Sequence, residues 1–486
     1  MTKPQSHLGS GAKWSMLDNL AQQVLSFLVF MVLARFVAPQ EFGLIAIAHV
    51  IVTFVRQTVF DAISHPVARA ESTSDTLYSW AFSVCVLAAL CMSILMLAGA
   101  GFVSRFYAHP ELVQVLSWMS LVVLATGTAS VYEARLVRRM EFRPLAIRSI
   151  VSVTIGGTVG IVLAFRGAGV MALVAQQVVT SCLALALLVA QARWIPQIAL
   201  RNLAFKEFLP EASRVSMTGL FNFLASQGDT VLVSIFLGSY ATGIYNFAKR
   251  LTSAVYLVIG SSLLKLAIPA FAEAGKNPDA LRDAYVRILG TTIFLMAPLL
   301  AGMSILAIPT ITLLFGAVWV EAAPIVALLS ILYILLAANQ INDYLMFATG
   351  SRTVPMQRGL VQTLLALLLG WMFSGLGLGL AWTSVGFVLA GAIVWPWPQR
   401  LANSRMHFSF LKLISALKSP LLATTAMSLF LMATYKYMPL NIWALGCMVS
   451  AGALTFFITH LIVIKMWPSS YDALKELIRR RHPSTS

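Results

Sequence analysis

Four cations interrupt otherwise apolar stretches of this sequence: Arg56, Lys249, Arg250 and Lys265. At the centre of a helix crossing a bilayer, each would cost about 2.5 to 3.5 kcal/mol if it faced lipid. They must therefore face water, an anion or a carboxylate. Fixed cations in a wet cavity can replace the hydration of a phosphate, so the chemistry they offer is anion binding. Two of them lie on polar stripes. His49, Thr53 and Arg56 recur at i, i+4 and i+7, and Lys249, Ser253 and Tyr256 repeat that spacing 200 residues later, with Tyr245 ahead of them. Ser15, Asp18, Asn19, Gln22 and Ser26 form one wet helical face, answered by Ser216, Gly219, Asn222 and Ser226. Gln22, His49, Arg56, Asn222 and Lys249 are thus candidates for a shared cavity. Arg250 points about 100° from Lys249 and either joins that cavity or pairs with an acid on a neighbouring helix. Asp18 and Asp229 are candidates for proton or sodium coupling, or for pairing the cations. Lys265, near the end of its helix, reads as a snorkelling side chain. His460 reads as a structural, hydrogen-bonded histidine.

The elements that must position these residues follow from composition. Of 486 residues, 59% are hydrophobic and 11% charged, with a mean hydropathy of +0.83. A soluble core cannot hide so much apolar surface, which excludes an ordinary globular enzyme and indicates an all-α polytopic membrane protein. The net charge of +16 lies between apolar runs, so it reports orientation rather than a nucleic-acid face. Cys85, Cys91, Cys182 and Cys447 fall inside those runs without a CxxC pair and read as buried packing thiols. The polar opening and the length of the stretch from Trp14 to Val37 argue against a cleavable signal peptide.

Uncharged stretches of bilayer length, the spans with internal charges, and a 41-residue run split at Gly375, Gly377 and Gly379 give about fourteen spans. With the N-terminus in the cytoplasm, 26 Lys and Arg fall on that side and four on the other. Both termini are then cytoplasmic. The expected organisation is a cytoplasmic N-terminus (1–13), an N-lobe of six spans (14–192), a cytoplasmic linker (193–214), a C-lobe of six spans (215–399), a basic linker with spans 13 and 14 (400–465) and a basic tail (466–486). Tyr471, Leu474, Leu477 and Ile478, ahead of Arg479 to Arg481, suggest a short interfacial helix in that tail.

Shifting the sequence by 200 residues superposes Leu20 on Leu220, Ser26 on Ser226, Phe36 on Phe236, Gly43 on Gly243, Ala48 on Ala248 and Val55 on Val255. A second echo, at 210, superposes Glu133 on Asp343 and Arg148 on Arg358. Same-direction repeats place a substrate site between two six-helix lobes related by a pseudo-twofold axis. The basic loop with Glu133, Arg135, Arg138, Arg139, Glu141 and Arg143 reads as a topogenic signal contacting anionic lipid. Trp14, Trp80, Trp118, Trp395 and Trp397 read as an interfacial belt. Trp319, beside Glu321 in an external segment, is the aromatic that could instead stack on a sugar.

Several stretches resemble polysaccharide exporters of the Wzx/WzxC type: "VLARFVAPQEFGLIAIA" (32–48), "RRMEFRPLAIR" (138–148), "GDTVLVSIFLGSYATGIYNFAKRL" (228–251) with Pro269 and Ala270, and "LFGAVWVEAAPIVALLSI" (314–331). These exporters belong to the multidrug, oligosaccharidyl-lipid and polysaccharide (MOP) superfamily, which also holds lipid II flippases and MATE antiporters. The resemblance implies two six-helix lobes around a central cavity in a bacterial inner membrane. It also implies movement of a polyprenyl-diphosphate-linked oligosaccharide from the cytoplasmic to the periplasmic leaflet, alongside a polysaccharide polymerase and co-polymerase. Alternatives are a lipid II flippase, a cation-coupled drug antiporter within the superfamily and, more remotely, a membrane polysaccharide polymerase. An enzyme would need a cluster of acids or a nucleophile motif in a sizeable loop, and no Walker, paired-carboxylate or nucleophile pattern is legible. No metal or cofactor is implied.

Overall fold

The computed structural model describes residues 21–70, 74–192, 194–197, 204–275 and 277–466, with the backbone alone for 204–207 and 258–266. Asp18, the side chain of Lys265 and the tail helix lie outside the described residues. Among these residues all regular structure is helical. Twelve helices among the described residues are long and apolar enough to cross a membrane. The difference from fourteen arises at two places. Phe208–Leu257 is one 50-residue run where two spans were expected, and the first expected span is described only over Ala21–Leu33. Large apolar side chains point outward, as on a lipid-facing surface: Phe102 is 73% exposed, and Ile94 and Leu95 accompany it. An aqueous surface would not tolerate such a patch. This is a multi-pass membrane protein.

The chain divides into two compact units, residues 1–246 and 247–486. The first contains α1 (Ala21–Leu33), α2 (Pro39–Arg69), α3 (Asp75–Tyr107), α4 (Glu111–Arg138), α5 (Phe142–Phe165), α6 (Val170–Ala192) and the first part of α7 (Ala204–Ala274). Helix α2 begins with Pro39 at its first turn, where Glu41 accepts the Ala38 N–H at 2.9 Å. Between Arg56 and Phe60 it widens into a π-turn, closed by the Asp61 N–H on the Arg56 carbonyl. Helix α3 is capped by Ser74, which accepts the Leu77 N–H. Gly156 and Gly160 of α5, four apart, let α6 approach: a Cβ on Gly160 would stand 2.8 Å from the Gln176 Cβ, and one on Gly156 would meet Thr180. Helix α7 is broken at Gly238, whose φ of 80° and ψ of −176° suit only glycine.

Near the end of α4, Arg135 of the basic segment is buried. Its guanidinium lies 2.9 Å from Asp75 and is packed over Trp194 (4.6 Å to the ring centroid) and Tyr78. Of the basic loop, Arg138 donates to the Ala68 carbonyl at 2.8 Å.

The second unit contains α8 (Pro278–Ile305), α9 (Ala307–Leu314), a 3₁₀ turn (Ala317–Ala322), α10 (Ala323–Ala348), α11 (Thr353–Gly375), α12 (Gly379–Val394), α13 (Pro396–Arg405), α14 (Phe410–Tyr435) and α15 (Ile442–Met466). The glycine-marked turn forms as its composition requires, with Gly377 and Gly379 at φ of 69° and 82° between α11 and α12. Tyr285, Asn342, Gln399 and Asn403 form a buried hydrogen-bonded chain that ties α8, α10 and α13 together. His460 has a structural role: Ser419 lies 2.9 Å from its Nδ1, and its ring stacks on Phe456.

Two expectations need correction. Only Cys85 is a buried thiol; Cys91, Cys182 and Cys447 are exposed on their helices, and a free thiol behaves there as a small apolar side chain. Trp319 is no stacking platform: it is 1% exposed and lies flat on Phe247, with ring centroids 4.3 Å apart.

Candidate substrate cavity

A cavity of about 560 Å³ opens within the first unit. Helix α2 supplies His49, Thr53 and Arg56, which share one face because three and four residues are one helical turn. The same helix then adds Gln57 and Asp61. At five residues beyond Arg56, Asp61 would leave that face in a regular helix, and the π-turn's i→i+5 hydrogen bond brings it back. Helix α4 contributes Val122, Ala125, Thr126, Ala129 and Glu133; α5 contributes Arg148, Ser149 and Ser152; α6 contributes Gln177, Thr180 and Ser181. Gln22 of α1 and Gln227 of α7 complete the polar lining.

Glu133 stands between two guanidinium groups. Its Oε2 lies 3.7 Å from Arg56 Nη2, and its Oε1 accepts a hydrogen bond from Arg148. Arg56 is 54% exposed, whereas Glu133 and Arg148 are 28% and 17% exposed. The lining thus holds two arginines and two acids, Glu133 and Asp61, with His65 3.9 Å from Asp61. Two polar atoms at this site are buried without a hydrogen-bond partner among the described residues, Arg148 Nε and Gln57 Oε1. Such groups are costly unless something completes them.

The sequence candidates separate accordingly. Gln22, His49 and Arg56 line this cavity; Asn222 is exposed, and the structure does not bring it into the lining, where Gln227 stands instead. Gly219 serves close packing: a Cβ there would overlap the Gln57 carbonyl at the π-turn. Asp229 is held within its own helix pair, accepting the Tyr245 hydroxyl at 2.7 Å and the Thr230 N–H at 2.7 Å. In the second unit Lys249 is half-buried and Arg250 exposed, while Tyr256 donates to Gln340. The second echo is an ion pair made twice: Asp343 and Arg358 repeat Glu133 and Arg148, with Arg358 Nε and Nη2 at 2.9 and 2.7 Å from the two carboxylate oxygens. Glu133, Arg148, Asp61, Gln57 and Gln227 were not among the sequence candidates for the cavity. The 210-residue echo had marked the first two, and nothing in the spacing marked Asp61.

Residues 32–324 match the family model described as polysaccharide biosynthesis protein. The chain belongs to that family. It is 29% identical over 324 residues to the succinoglycan biosynthesis transport protein ExoT of Rhizobium meliloti, covering 65% of this chain and 64% of that protein. It is 23% identical over 350 residues to the lipopolysaccharide biosynthesis protein WzxC of Escherichia coli, covering 69% of each. The chain therefore matches somewhat under two thirds of the first relative's length. Among solved structures it is similar to the lipid II flippase MurJ in an inward closed conformation, with a TM-score of 0.74 at 15% identity over 93% of this chain and 99% of that one. It is also similar to an inward-facing MATE transporter of the MOP superfamily, with a TM-score of 0.59 at 16% identity over 80% of this chain and 96% of that one. At such identities the likeness establishes the fold, which this chain shares with these two transporters.

Proposed function

We propose that this protein moves a polyprenyl-diphosphate-linked oligosaccharide from the cytoplasmic to the periplasmic leaflet of a bacterial inner membrane by alternating access, with both termini cytoplasmic. The supporting observation is a polar cavity enclosed by apolar membrane helices and carrying Arg56 and Arg148, in a chain of the polysaccharide biosynthesis family. The barrier a flippase must remove is desolvation of the diphosphate, and guanidinium groups bind phosphoryl oxygens through forked, charge-assisted hydrogen bonds. The residues of the site bind and carry, and no bond of the cargo is made or broken. The N-lobe and C-lobe of the sequence reading remain our division of the working parts, and a polymerase and co-polymerase are the partners this role implies.

A lipid II flippase shares the diphosphate chemistry, and the names of the relatives favour an exopolysaccharide or lipopolysaccharide unit instead. A drug antiporter would favour unpaired acids in the cavity, whereas Glu133 is already held by arginines. The test is deletion of the gene followed by leaflet-resolved analysis of lipid-linked sugars. Accumulation of one oligosaccharide-diphosphate lipid on the cytoplasmic leaflet is expected. An unchanged lipid pool combined with new drug sensitivity would overturn the reading in favour of the antiporter.

A further inference from the structure

The charge balance of the cavity leads one step beyond the transport reading, on which it rests. We propose that Glu133 is an exchangeable counter-ion: its carboxylate holds the place between Arg56 and Arg148 that phosphoryl oxygens of the diphosphate take on binding, and it returns when the cargo leaves. Glu133 is then a positioning residue that keeps cargo affinity low enough for release.

Three observations carry this. First, the carboxylate bridges two guanidinium groups from different helices, Arg56 of α2 at 3.7 Å and Arg148 of α5, and saturates neither. The repeated pair shows the alternative: both Asp343 oxygens sit on one guanidinium, and Gln362 accepts a further N–H at 2.5 Å, which is the geometry of a permanent pair. Second, Arg148 Nε is buried at the site without a hydrogen-bond partner among the described residues, a donor that an incoming oxygen would satisfy. Third, the lining balances Arg56 and Arg148 against Glu133 and Asp61, with His49 beside them and His65 on Asp61. A lining whose formal charges cancel offers a multiply charged anion little net attraction, and an acid that withdraws from the arginines it occupies restores that attraction. Among the acids of the lining, Glu133 is the one that touches both.

The test uses the purified full-length protein in lipid nanodiscs, titrated with inorganic diphosphate by calorimetry at low salt. Glu133→Gln should bind roughly 3- to 10-fold tighter than the wild type, the size expected when a partly exposed competing charge is removed. In cells it should give less exopolysaccharide at normal abundance, because cargo is retained. Glu111→Gln, which removes the same charge at an exposed position outside the cavity, should leave the affinity within about twofold. Arg56→Gln should weaken binding roughly tenfold. Unchanged binding by Arg56→Gln overturns the anion-binding cavity itself. Weaker binding by Arg56→Gln together with unchanged or weaker binding by Glu133→Gln overturns only the exchange. If Glu133→Gln is not recovered folded, Glu133→Asp decides: its shorter arm reaches one guanidinium, so tighter binding supports the exchange and weaker binding overturns it.

Discussion

Gly43 and Gly243, 200 residues apart in the chain, pack backbone against backbone. A Cβ on Gly43 would overlap the Ser239 carbonyl, a Cβ on Gly243 would overlap the Pro39 carbonyl, and each would stand 3.1 Å from the other glycine's nitrogen. Residues 39 and 239 are related by the same shift as 43 and 243. The contact therefore maps onto itself when the two copies are exchanged, as at a local two-fold axis. His109 sits beside it, with its Nε2 2.7 Å from Ser239 Oγ and its Nδ1 3.5 Å from Gln40.

This crossing predicts an inversion of the usual rule. Replacing glycine by alanine inside a helix ordinarily stabilises it by up to about 1 kcal/mol. Here the new methyl meets rigid backbone, and overpacking costs about 1–3 kcal/mol. Gly43→Ala and Gly243→Ala should each lower the thermal midpoint of the purified protein and reduce polysaccharide output. A double variant no worse than either single one would show that one contact carries both effects. Two variants that both fold more stably than the wild type would show that the crossing is not formed.

The repeated ion pair makes a second prediction. Asp343 and Arg358 are each 14% exposed, so removing one leaves a buried charge, at a cost of about 3–5 kcal/mol. Asp343→Leu and Arg358→Met should each deplete the folded protein in thermal unfolding assays, while the double variant recovers most of the loss. Equal damage from the double and single variants would mean that the pair is not what those positions contribute.

How much of this was legible in the sequence follows from what periodicity can encode. The stripe His49, Thr53 and Arg56 was readable because a regular helix keeps three- and four-residue spacings on one face, and the tight turn at Gly377 and Gly379 because only glycine tolerates it. Asp61 was hidden by the π-turn, which breaks the phase on which the reading depends. Glu133 and Arg148 stood out only as an echo; that they meet at the wall of a cavity is a tertiary fact about α4 and α5. Trp319 misled because aromatic type does not distinguish a stacking surface from a core, and burial under Phe247 decides it.

Topology is open to direct measurement. Met140, 57% exposed after α4, and Tyr437, 86% exposed after α14, lie on opposite sides if the positive-inside assignment holds. In a background free of the four native cysteines, Met140→Cys should be blocked by a membrane-impermeant thiol reagent only after cell disruption, and Tyr437→Cys in intact spheroplasts. The reverse pattern would invert the protein and, with it, the direction of transport.

Asp229 remains the described acid with a claim to ion coupling, and its surroundings allow that claim to be tested against a structural one. Its Oδ2 accepts from the Tyr245 hydroxyl, which lies beyond the Gly238 break, so the contact pins the two arms of α7 to each other. A hydrogen bond to a charged group contributes about 1.5–3 kcal/mol. If pinning is its role, Asp229→Asn and Tyr245→Phe should lower the thermal midpoint by similar amounts, and the double variant should fall no further, because both singles remove one interaction. Dependence of transport on pH or sodium should survive in the folded fraction of all three. If Asp229 instead carries the coupling ion, Asp229→Asn should abolish that dependence while Tyr245→Phe retains it, and the two variants would part in transport assays although they agree in stability. Loss of pH or sodium dependence in Asp229→Asn alone would therefore reassign Asp229 from the scaffold to the coupling mechanism.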